Sequence, residues 1–413
     1  MFTFLHAADI HLDSPLKNLA VREEAPVETI RGAARRAFDN LIELAVVEEV
    51  DFLLLAGDLY DGSWKDYNTG LFFIDRMRVL RKAGIRVFLV SGNHDAASRI
   101  TRALRLPDNV THLSSRSPQT IQLEDPGVAI HGQSYPRRAV SENLALAYPD
   151  PVPDLFNIGL LHTALSGRPG HEPYAPCTRD DLIHKGYDYW ALGHVHQQEE
   201  VCRDPWIVFP GNLQGRHIRE TGAKGATLVR VEHGQVADVE FRELDVVRWS
   251  FLRLDCGDIH SEGELLEQAG TVFQQEADLA DSRPLMLRLE LYGVCPFHGE
   301  LLRDLRYWEH ALEGLAIDIG DVWLEKILFH TRRPGNLDHS TLEGAFMEAF
   351  FQAVDSEALD FFEAPELQKL MDRLPAELLR TQPFIPEDPD EQQLLVREIR
   401  DMVLARILKQ GDQ

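Results

Sequence analysis

The first half of the chain alternates short apolar runs with longer amphipathic stretches. Runs rich in apolar and β-branched residues predict strands. These strands are expected at 2–8, 51–56, 85–91, 157–161 and 188–192. Between the first two runs, apolar residues recur every three or four positions, as on one face of a helix: Ile30, Ala34, Ala37, Leu41 and Leu44. This alternation predicts an α/β layer fold.

Later segments indicate a second sheet in the same domain. The runs 206–209, 225–232 and 235–244 look like strands and are separated by turns that contain glycine. A second sheet stacked on the first, with helices outside both, gives a four-layer αββα sandwich over 1–245.

The pattern changes near residue 246. Strands are predicted at 249–255, 284–293 and 321–329, with helices at 261–279 and 298–314. This β-α-β-α-β order predicts a separate small α+β domain over 246–335.

A third region, 336–413, has helical periodicity. Apolar residues step by four positions at its start: Leu342, Phe346, Phe350 and Val354. The stretch 391–408 predicts a second amphipathic helix, and the prolines of 383–390 disfavour a helix between the two. An apolar stripe of this kind has to pack against its own domain or a partner, and the sequence leaves both open.

Composition narrows the function classes. The chain has 413 residues and a formal charge of -25, so it lacks the basic surplus of a simple DNA-coating protein. Its four dispersed cysteines favour neither a zinc ribbon nor a disulfide framework. No apolar run reaches bilayer length and no basic leader begins the sequence, so we expect a cytoplasmic protein without membrane contact.

Five polar motifs each follow a predicted strand, at the edge where α/β sheets bind ligands. In chain order they are Asp9-Ile10-His11, Gly57-Asp58-Leu59-Tyr60-Asp61, Gly92-Asn93-His94-Asp95, Leu161-His162-Thr163 and Gly193-His194-Val195-His196. A single DxH or Gly-Asn pair is weak evidence, since such residues are also common in turns and on surfaces. The ordered set of five favours a hydrolytic metal site.

Residue spacing within the motifs suggests two metal ions. Side chains two positions apart in an extended segment point to the same side, so Asp9 with His11 and His194 with His196 can each grip one ion. Asp58 is a suitable bridging carboxylate. Imidazole and carboxylate donors suit manganese, iron or zinc better than calcium or magnesium, and Mn²⁺ is our first expectation.

These motifs resemble the signature of the calcineurin-like metallophosphoesterases, over roughly residues 1–245. The segments HAADIHLDSPL at 6–16 and PGNLQGRHIRE at 210–220 resemble most the YhaO branch of the SbcD-type DNA-repair exonucleases. Protein phosphatases of the superfamily carry GDxxDRG and GNHE, whereas Gly62-Ser63 follows Asp61 here and the later motif ends in Asp95. That difference disfavours a protein phosphatase. Archaeal nuclease relatives often have His where this chain has Asp61, and the resemblance leaves the effect on exonuclease activity open.

The resemblance implies a role for each motif residue. The first metal would be held by Asp9, His11, Asp58 and His196, and the second by Asp58, Asn93, His162 and His194. A hydroxide bridging the ions would attack the phosphodiester, and His94 would assist the leaving group.

The resemblance also implies partners. Region 246–335 would be a capping domain that grips DNA, with phosphate contacts possible for seven arginines: Arg248, Arg253, Arg288, Arg303, Arg306, Arg332 and Arg333. The C-terminal helices would dock on an SbcC/YhaN-type SMC-like ATPase, and the protein would be a homodimer. Two alternatives stay open, a small-nucleotide phosphodiesterase and a DNA-end-binding scaffold with incidental catalysis.

Overall fold

The predicted strands of the first half form two sheets in a computed structural model that describes residues 1–14, 30, 32–61, 67–97, 105–165 and 174–333. The first sheet has the order β12-β11-β1-β2-β3-β4. Its strands are β1 (Phe2–Ala7), β2 (Phe52–Ala56), β3 (Arg86–Val90), β4 (Val110–His112), β11 (Gly225–Glu232) and β12 (Gln235–Glu243). The strands β1 to β4 are parallel, and β11 joins β1 in the antiparallel sense.

The second sheet has the order β5-β6-β7-β8-β10-β9. Its strands are β5 (Gln119–Leu123), β6 (Val128–Gly132), β7 (Phe156–His162), β8 (Tyr189–Gly193), β9 (Glu199–Arg203) and β10 (Trp206–Phe209). The four strands from β6 to β10 in this order are parallel, and the two edge strands are antiparallel. Both sheets are therefore mixed, with parallel centres.

The two sheets pack face to face through an aromatic core. On β2, Phe52, Leu54 and Ala56 face the inter-sheet core, whereas Leu53 and Leu55 face the opposite side, as a period of two requires. Phe4 stacks on Phe52 with centroids 5.1 Å apart and meets Tyr189 of the second sheet edge to face at 5.2 Å. Each such buried aromatic contributes about 1.5–3 kcal/mol through burial.

Helices cover the outer faces of both sheets. The helices α1 (Ala33–Val47) and α2 (Tyr67–Lys82) pack on the first sheet through Phe38, Leu41 and Met77, while α3 (Asn93–Ala97) follows β3. Leu182 of α4 (Arg179–His184) and a 3-10 turn at Leu144–Ala147 pack with Trp190 on the second sheet. The predicted four-layer αββα sandwich is confirmed.

The chain divides into two compact units. The first contains residues 1–252, 273–288 and 319–326, and the described part of the second contains 253–272, 289–318 and 327–333. The remaining elements include a three-stranded sheet of order β13-β14-β15. They are β13 (Arg248–Asp255), α5 (Glu262–Leu279), β14 (Leu285–Val294), α6 (His298–Arg303), α7 (Leu305–Ile319) and β15 (Val322–Arg332).

The predicted β-α-β-α-β order of this region is confirmed with one difference. The helix expected over 298–314 is split at Asp304, whose φ of -148° is incompatible with a continuous α-helix. The domain boundaries at 245 and 335 stay a prediction, and the predicted helices of 336–413 lie outside the described residues.

Candidate metal centre

The predicted site residues follow the carboxyl ends of strands in both sheets. Asp9 and His11 follow β1, Asp58 follows β2, and Asn93 begins α3 just after β3. From the second sheet, His162 ends β7, and His194 and His196 follow β8. Because β1, β2 and β3 are parallel to one another, and β7 is parallel to β8, the strand ends collect these side chains at one edge of each sheet.

Four of these residues have a backbone conformation that L-amino acids seldom adopt. The φ angles are 50° for Asp9, 46° for His11, 52° for Asp58 and 104° for His194. Asp and His tolerate the left-handed region better than most residues, yet each instance costs free energy that the surrounding fold has to supply. This concentration of strain points to a functional edge rather than to ordinary turns.

One group of donor atoms contains residues that follow strands of both sheets. Oxygen or nitrogen atoms of Asp9, His11 and His196 lie within 4.8 Å of one another. The Nε2 atoms of His11 and His196 are 3.4 Å apart, and His196 Nε2 is 3.7 Å from Asp9 Oδ1. His11 Nε2 also lies 3.9 Å from Asp58 Oδ2. These are the four side chains predicted for the first metal.

A second group contains Asp9, Asp58 and His162 and shares Asp9 with the first. His162 Nε2 lies 3.5 Å from Asp58 Oδ2 and 3.0 Å from Asn93 Oδ1. The ring of His194 is 5.2 Å from that of His162, and its backbone N–H donates to Asp9 Oδ2 at 2.9 Å. His194 therefore lies beside this group, and its role as a ligand of the second metal stays a prediction.

His94 belongs to a third group with His11 and Asp61. Its Nδ1 lies 2.6 Å from Asp61 Oδ1, and Ser14 Oγ donates to Asp61 Oδ2 at 2.6 Å. Its Nε2 is 4.0 Å from Asp58 Oδ2, so this nitrogen faces the carboxylates. The motif residue whose role was left open, Asp61, thus orients His94.

Electrostatics in this cleft favour bound cations. Burial, and then the charge of Asp58, raise the pKa of Asp9 well above its ordinary value, and burial also raises that of Asp58. Burial lowers the pKa of His11 and His196, and it lowers that of His162 to about 3, so these imidazoles are neutral and able to act as ligands.

The residues present therefore fit a dimetal centre. Asp9 Oδ1 is buried and has no hydrogen-bond partner within the described part of the chain, a costly state that a cation would relieve. Two crowded carboxylates, neutral imidazoles and one amide oxygen form a donor set suited to divalent transition metals.

Two glycines allow the close approach of these side chains. A Cβ at Gly92 would lie 2.3 Å from Asp58 Oδ1, and one at Gly57 would lie 2.4 Å from His162 Nδ1. Gly57 also has a φ of 93°. Both positions need glycine because any side chain would displace a site residue.

Sequence reasoning missed a supporting layer around His196. Glu220 Oε1 accepts from His196 Nδ1 at 2.7 Å, and Arg216 donates to both oxygens of Glu220. Lys224 Nζ donates to the backbone carbonyl of His196 at 2.9 Å. The segment 210–220 was noted only for its resemblance, and its spacing gave no sign that it would contact a motif ten or more residues away.

Asp95, the last residue of the third motif, has a structural role. It accepts backbone N–H bonds from Leu59, Tyr60 and Gly92 at 2.9–3.2 Å and so ties two motif loops together. Burial, and then the charge of Asp58, raise its pKa to about 7.

Three of the seven arginines considered for DNA contact are paired with acidic side chains. Arg248 bonds Glu243 and Asp245, Arg253 bonds Glu290, and Arg288 makes a two-bond pair with Glu325 at 2.7 and 2.8 Å. These contacts favour structural roles for the three. Arg303, Arg306, Arg332 and Arg333 are exposed.

No helix in the described segments has the length and apolar character needed to span a membrane.

Comparison with known proteins agrees with this geometry. The calcineurin-like phosphoesterase family matches residues 2–198, and the middle domain of the metallophosphoesterase YhaO matches 249–332. The chain is 33% identical to the metallophosphoesterase YhaO of Bacillus subtilis (strain 168) over 418 residues, 98% of each protein.

Two further relatives are more distant. The DNA double-strand break repair protein Mre11 of Methanopyrus kandleri is 30% identical over 275 residues, which cover 59% of this chain and 57% of that protein. A crystal structure of a dimetal phosphatase from Danio rerio superposes with a TM-score of 0.34 and 11% identity, covering 56% of this chain and 93% of the other. From its match to YhaO, the chain belongs to the YhaO family of calcineurin-like metallophosphoesterases, as the motifs predicted, and is a hydrolase of phosphoester bonds.

Proposed function

We propose that the protein is a Mn²⁺-dependent phosphodiesterase that cleaves DNA in repair. The observation that carries this proposal is the convergence of three His and Asp groups at the ends of strands from both sheets. In their midst, the Nε2 of His94 faces Asp58.

Each proposed ligand has a donor atom or ring at the cleft. Asp9, His11, Asp58 and His196 would hold the first ion. The second ion would be held by Asp58, Asn93, His162 and His194. Two bound divalent ions would supply Lewis acidity and water of lowered pKa.

His94 acts on the leaving group in this proposal. Burial lowers its pKa, but the hydrogen bond to Asp61 and the charge of Asp58 outweigh that effect and raise it above the ordinary value. Asp61 fixes Nδ1, which leaves Nε2 to donate a proton to the departing oxygen. The Ser14 hydroxyl restrains Asp61 in turn, so the ring is held in one orientation.

DNA is the proposed substrate because a DNA double-strand break repair protein, Mre11 of Methanopyrus kandleri, is 30% identical to this chain over 59% of its length. The region 246–335 would act as a capping domain that grips DNA. A net charge of -25 predicts weak non-specific affinity of the isolated subunit for DNA, so we also propose a DNA-gripping partner, an SMC-like ATPase that docks through 336–413. Homodimerisation and a cytoplasmic location belong to the same proposal.

The substrate test uses the full-length protein with Mn²⁺. Labelled linear duplex, hairpin and single-stranded DNA are compared with bis(p-nitrophenyl) phosphate, with and without the cognate ATPase. Asp58→Asn is the matched inactive control. We expect cleavage of at least one DNA and of the small diester, both abolished by EDTA. Hydrolysis of the small ester with no DNA cleavage, even with the ATPase present, would refute the nuclease assignment and favour a small-nucleotide phosphodiesterase.

The partner test removes 383–413 from the chain and measures binding to the cognate ATPase. Loss of binding with retained hydrolysis of bis(p-nitrophenyl) phosphate is the expected result. Unchanged binding would exclude docking through this segment.

A further inference from the structure

Arg216 is held in one orientation by a buried carboxylate. Its Nε and Nη2 donate to Oε2 and Oε1 of Glu220 at 3.2 and 2.7 Å, and its backbone N–H donates to Oε2 at 2.8 Å. The exposed fractions of the two side chains are 16% for Arg216 and 5% for Glu220. A bidentate pair of this kind fixes the plane of the guanidinium.

The guanidinium lies beside His196, a proposed ligand of the first metal. Its Nη2 is 3.3 Å from His196 Nδ1, while the other ring nitrogen of His196 faces Asp9 and His11. Because Glu220 accepts the proton of His196 Nδ1, this nitrogen and Nη2 are both donors, and the 3.3 Å approach is a contact rather than a hydrogen bond. Arg216 therefore sits against a proposed metal ligand without competing for its metal-facing nitrogen.

The charge of Arg216 also acts on Asp61, the residue that positions His94. The hydrogen bond from His94 is the main cause that lowers the pKa of Asp61, and the positive charge of Arg216 adds to it. Another cation of this loop, Lys224, turns its ammonium group to the carbonyl of His196. Within the described residues, Nη1 of Arg216 makes no hydrogen bond.

We infer that Arg216 binds a non-bridging oxygen of the substrate phosphodiester through Nη1, with Glu220 as the positioning residue that aims it. The inference rests on the proposed phosphodiesterase function and adds a protein contact for the phosphate. Glu220 then serves two groups at once, because it holds the His196 ring for the metal and the guanidinium for the phosphate. Arginine suits this task because its N–H donors are planar and permanently charged.

The test compares R216Q with R219Q. Arg219 lies in the same loop and is exposed, so R219Q makes the same change in charge away from the cleft. Isothermal titration calorimetry measures Mn²⁺ affinity and then the affinity of the Mn²⁺-loaded protein for inorganic phosphate. KM and kcat for bis(p-nitrophenyl) phosphate are measured in parallel.

The expected result is specific to the anion. R216Q keeps its Mn²⁺ affinity, binds phosphate about 10- to 100-fold more weakly, and shows a raised KM, because a hydrogen bond to a charged group is lost. R219Q behaves like the unmodified protein. Phosphate affinity and KM in R216Q equal to those of R219Q would overturn the inference.

A structural role for the pair has a distinct signature. If R216Q loses Mn²⁺ because Glu220 is left unpaired, the double variant R216Q/E220Q is used instead, because it removes both buried charges. Its affinity for phosphate is then measured in the same way. Loss of Mn²⁺ by both variants assigns the pair to support of His196 alone and overturns the inference. Failure of the unmodified protein to hydrolyse any diester, with phosphate binding that still depends on Arg216, would instead refute the proposed function.

Discussion

Strands β1 and β2 and the loops that directly follow them are both buried, but burial has opposite effects on the stability of the two regions. The strands carry Phe4 and Phe52, two fully buried residues that stack at 5.1 Å in the aromatic core. The loops directly after them carry Asp9 and Asp58, which are also buried but have positive φ angles and raised pKa values. Burial lowers the free energy of the folded protein at the first pair of residues and raises it at the second.

This difference indicates how the fold supports its site. Packing between the sheets stabilises the strands, and the strand ends can then hold crowded carboxylates and left-handed backbone that would not persist in a short peptide. The residues whose buried charge or left-handed backbone raises the free energy of the folded protein are among those whose donor atoms converge. The comparison predicts that site variants change metal binding and turnover, while core variants change stability with little effect on the site.

Asp58→Asn should give the largest functional effect. We expect Mn²⁺ affinity to fall by more than the roughly 100-fold typical of a supporting residue, because a direct ligand is lost, and turnover to fall with it. The melting temperature of EDTA-treated protein should rise, since burial disfavours the charge of Asp58 and Asn removes it. Calorimetry and thermal melts measure both, with D238N at an exposed aspartate as control. A lower melting temperature for metal-free D58N would contradict the conclusion that burial of Asp58 destabilises the folded protein.

His94→Ala should separate metal binding from chemistry. We expect Mn²⁺ affinity to be retained and kcat for bis(p-nitrophenyl) phosphate to fall about 10²- to 10⁴-fold, the usual contribution of a general acid. Asp61→Asn should lower kcat less, because the ring stays in place but loses its charged partner. Full activity in H94A would remove the assigned role.

Phe52→Ala tests the aromatic core between the sheets, at the start of β2. Loss of a fully buried ring that contacts Phe4 and Phe88 should reduce the free energy of unfolding by about 3–5 kcal/mol. Mn²⁺ affinity of the folded protein should not change. Urea unfolding and calorimetry provide the two measurements, and F251A removes a phenyl group that is 43% exposed as control. A large loss of Mn²⁺ affinity in F52A would mean that core and site are not separable.

The comparison also explains what the sequence could predict. Central strands and the helix over Ala33–Val47 were correctly expected because their apolar spacing follows the period of the element. Four strands were missed: β4, β5, β6 and β9. β4 has only three residues, and β5 (QTIQL) and β9 (EEVCR) are only partly buried, so the hydrophobic patterns of these three are weak.

Site residues were predictable to the extent that they sit in motifs at strand ends. The structure brings together Asp9, His11, Asp58, His162 and His196, and it adds His94 beside Asp61. Glu220 could not be predicted, because the partner of His196 is chosen by the path of the loop after β10 and not by local spacing. The roles of the motif residues as metal ligands stay a proposal, which the D58N measurement tests.

The smallest effect concerns His6, a histidine in the inter-sheet region of β1. Its ring is fully buried and contacts the Tyr189 hydroxyl and the Leu192 carbonyl, each at 3.1 Å. Burial lowers its pKa to about 3. The unfolded chain, with an ordinary histidine pKa, therefore binds more protons than the folded chain as pH falls below about 6.5, and stability is lost over that window down to about pH 3.

His6→Gln should remove this pH dependence while keeping a side chain that can bond Tyr189. The unmodified protein should be the more stable at pH 7, and its advantage over H6Q should shrink by about 2 kcal/mol between pH 7 and pH 5, since one pKa unit corresponds to about 1.4 kcal/mol. Urea unfolding of EDTA-treated samples measures the difference, and the other buried histidines cancel because both proteins contain them. H184Q, at an exposed histidine, is the control. An H6Q difference that is constant from pH 7 to pH 5 would show that His6 is not held neutral by burial, so that burial would not oppose charge within β1 as it does at Asp9.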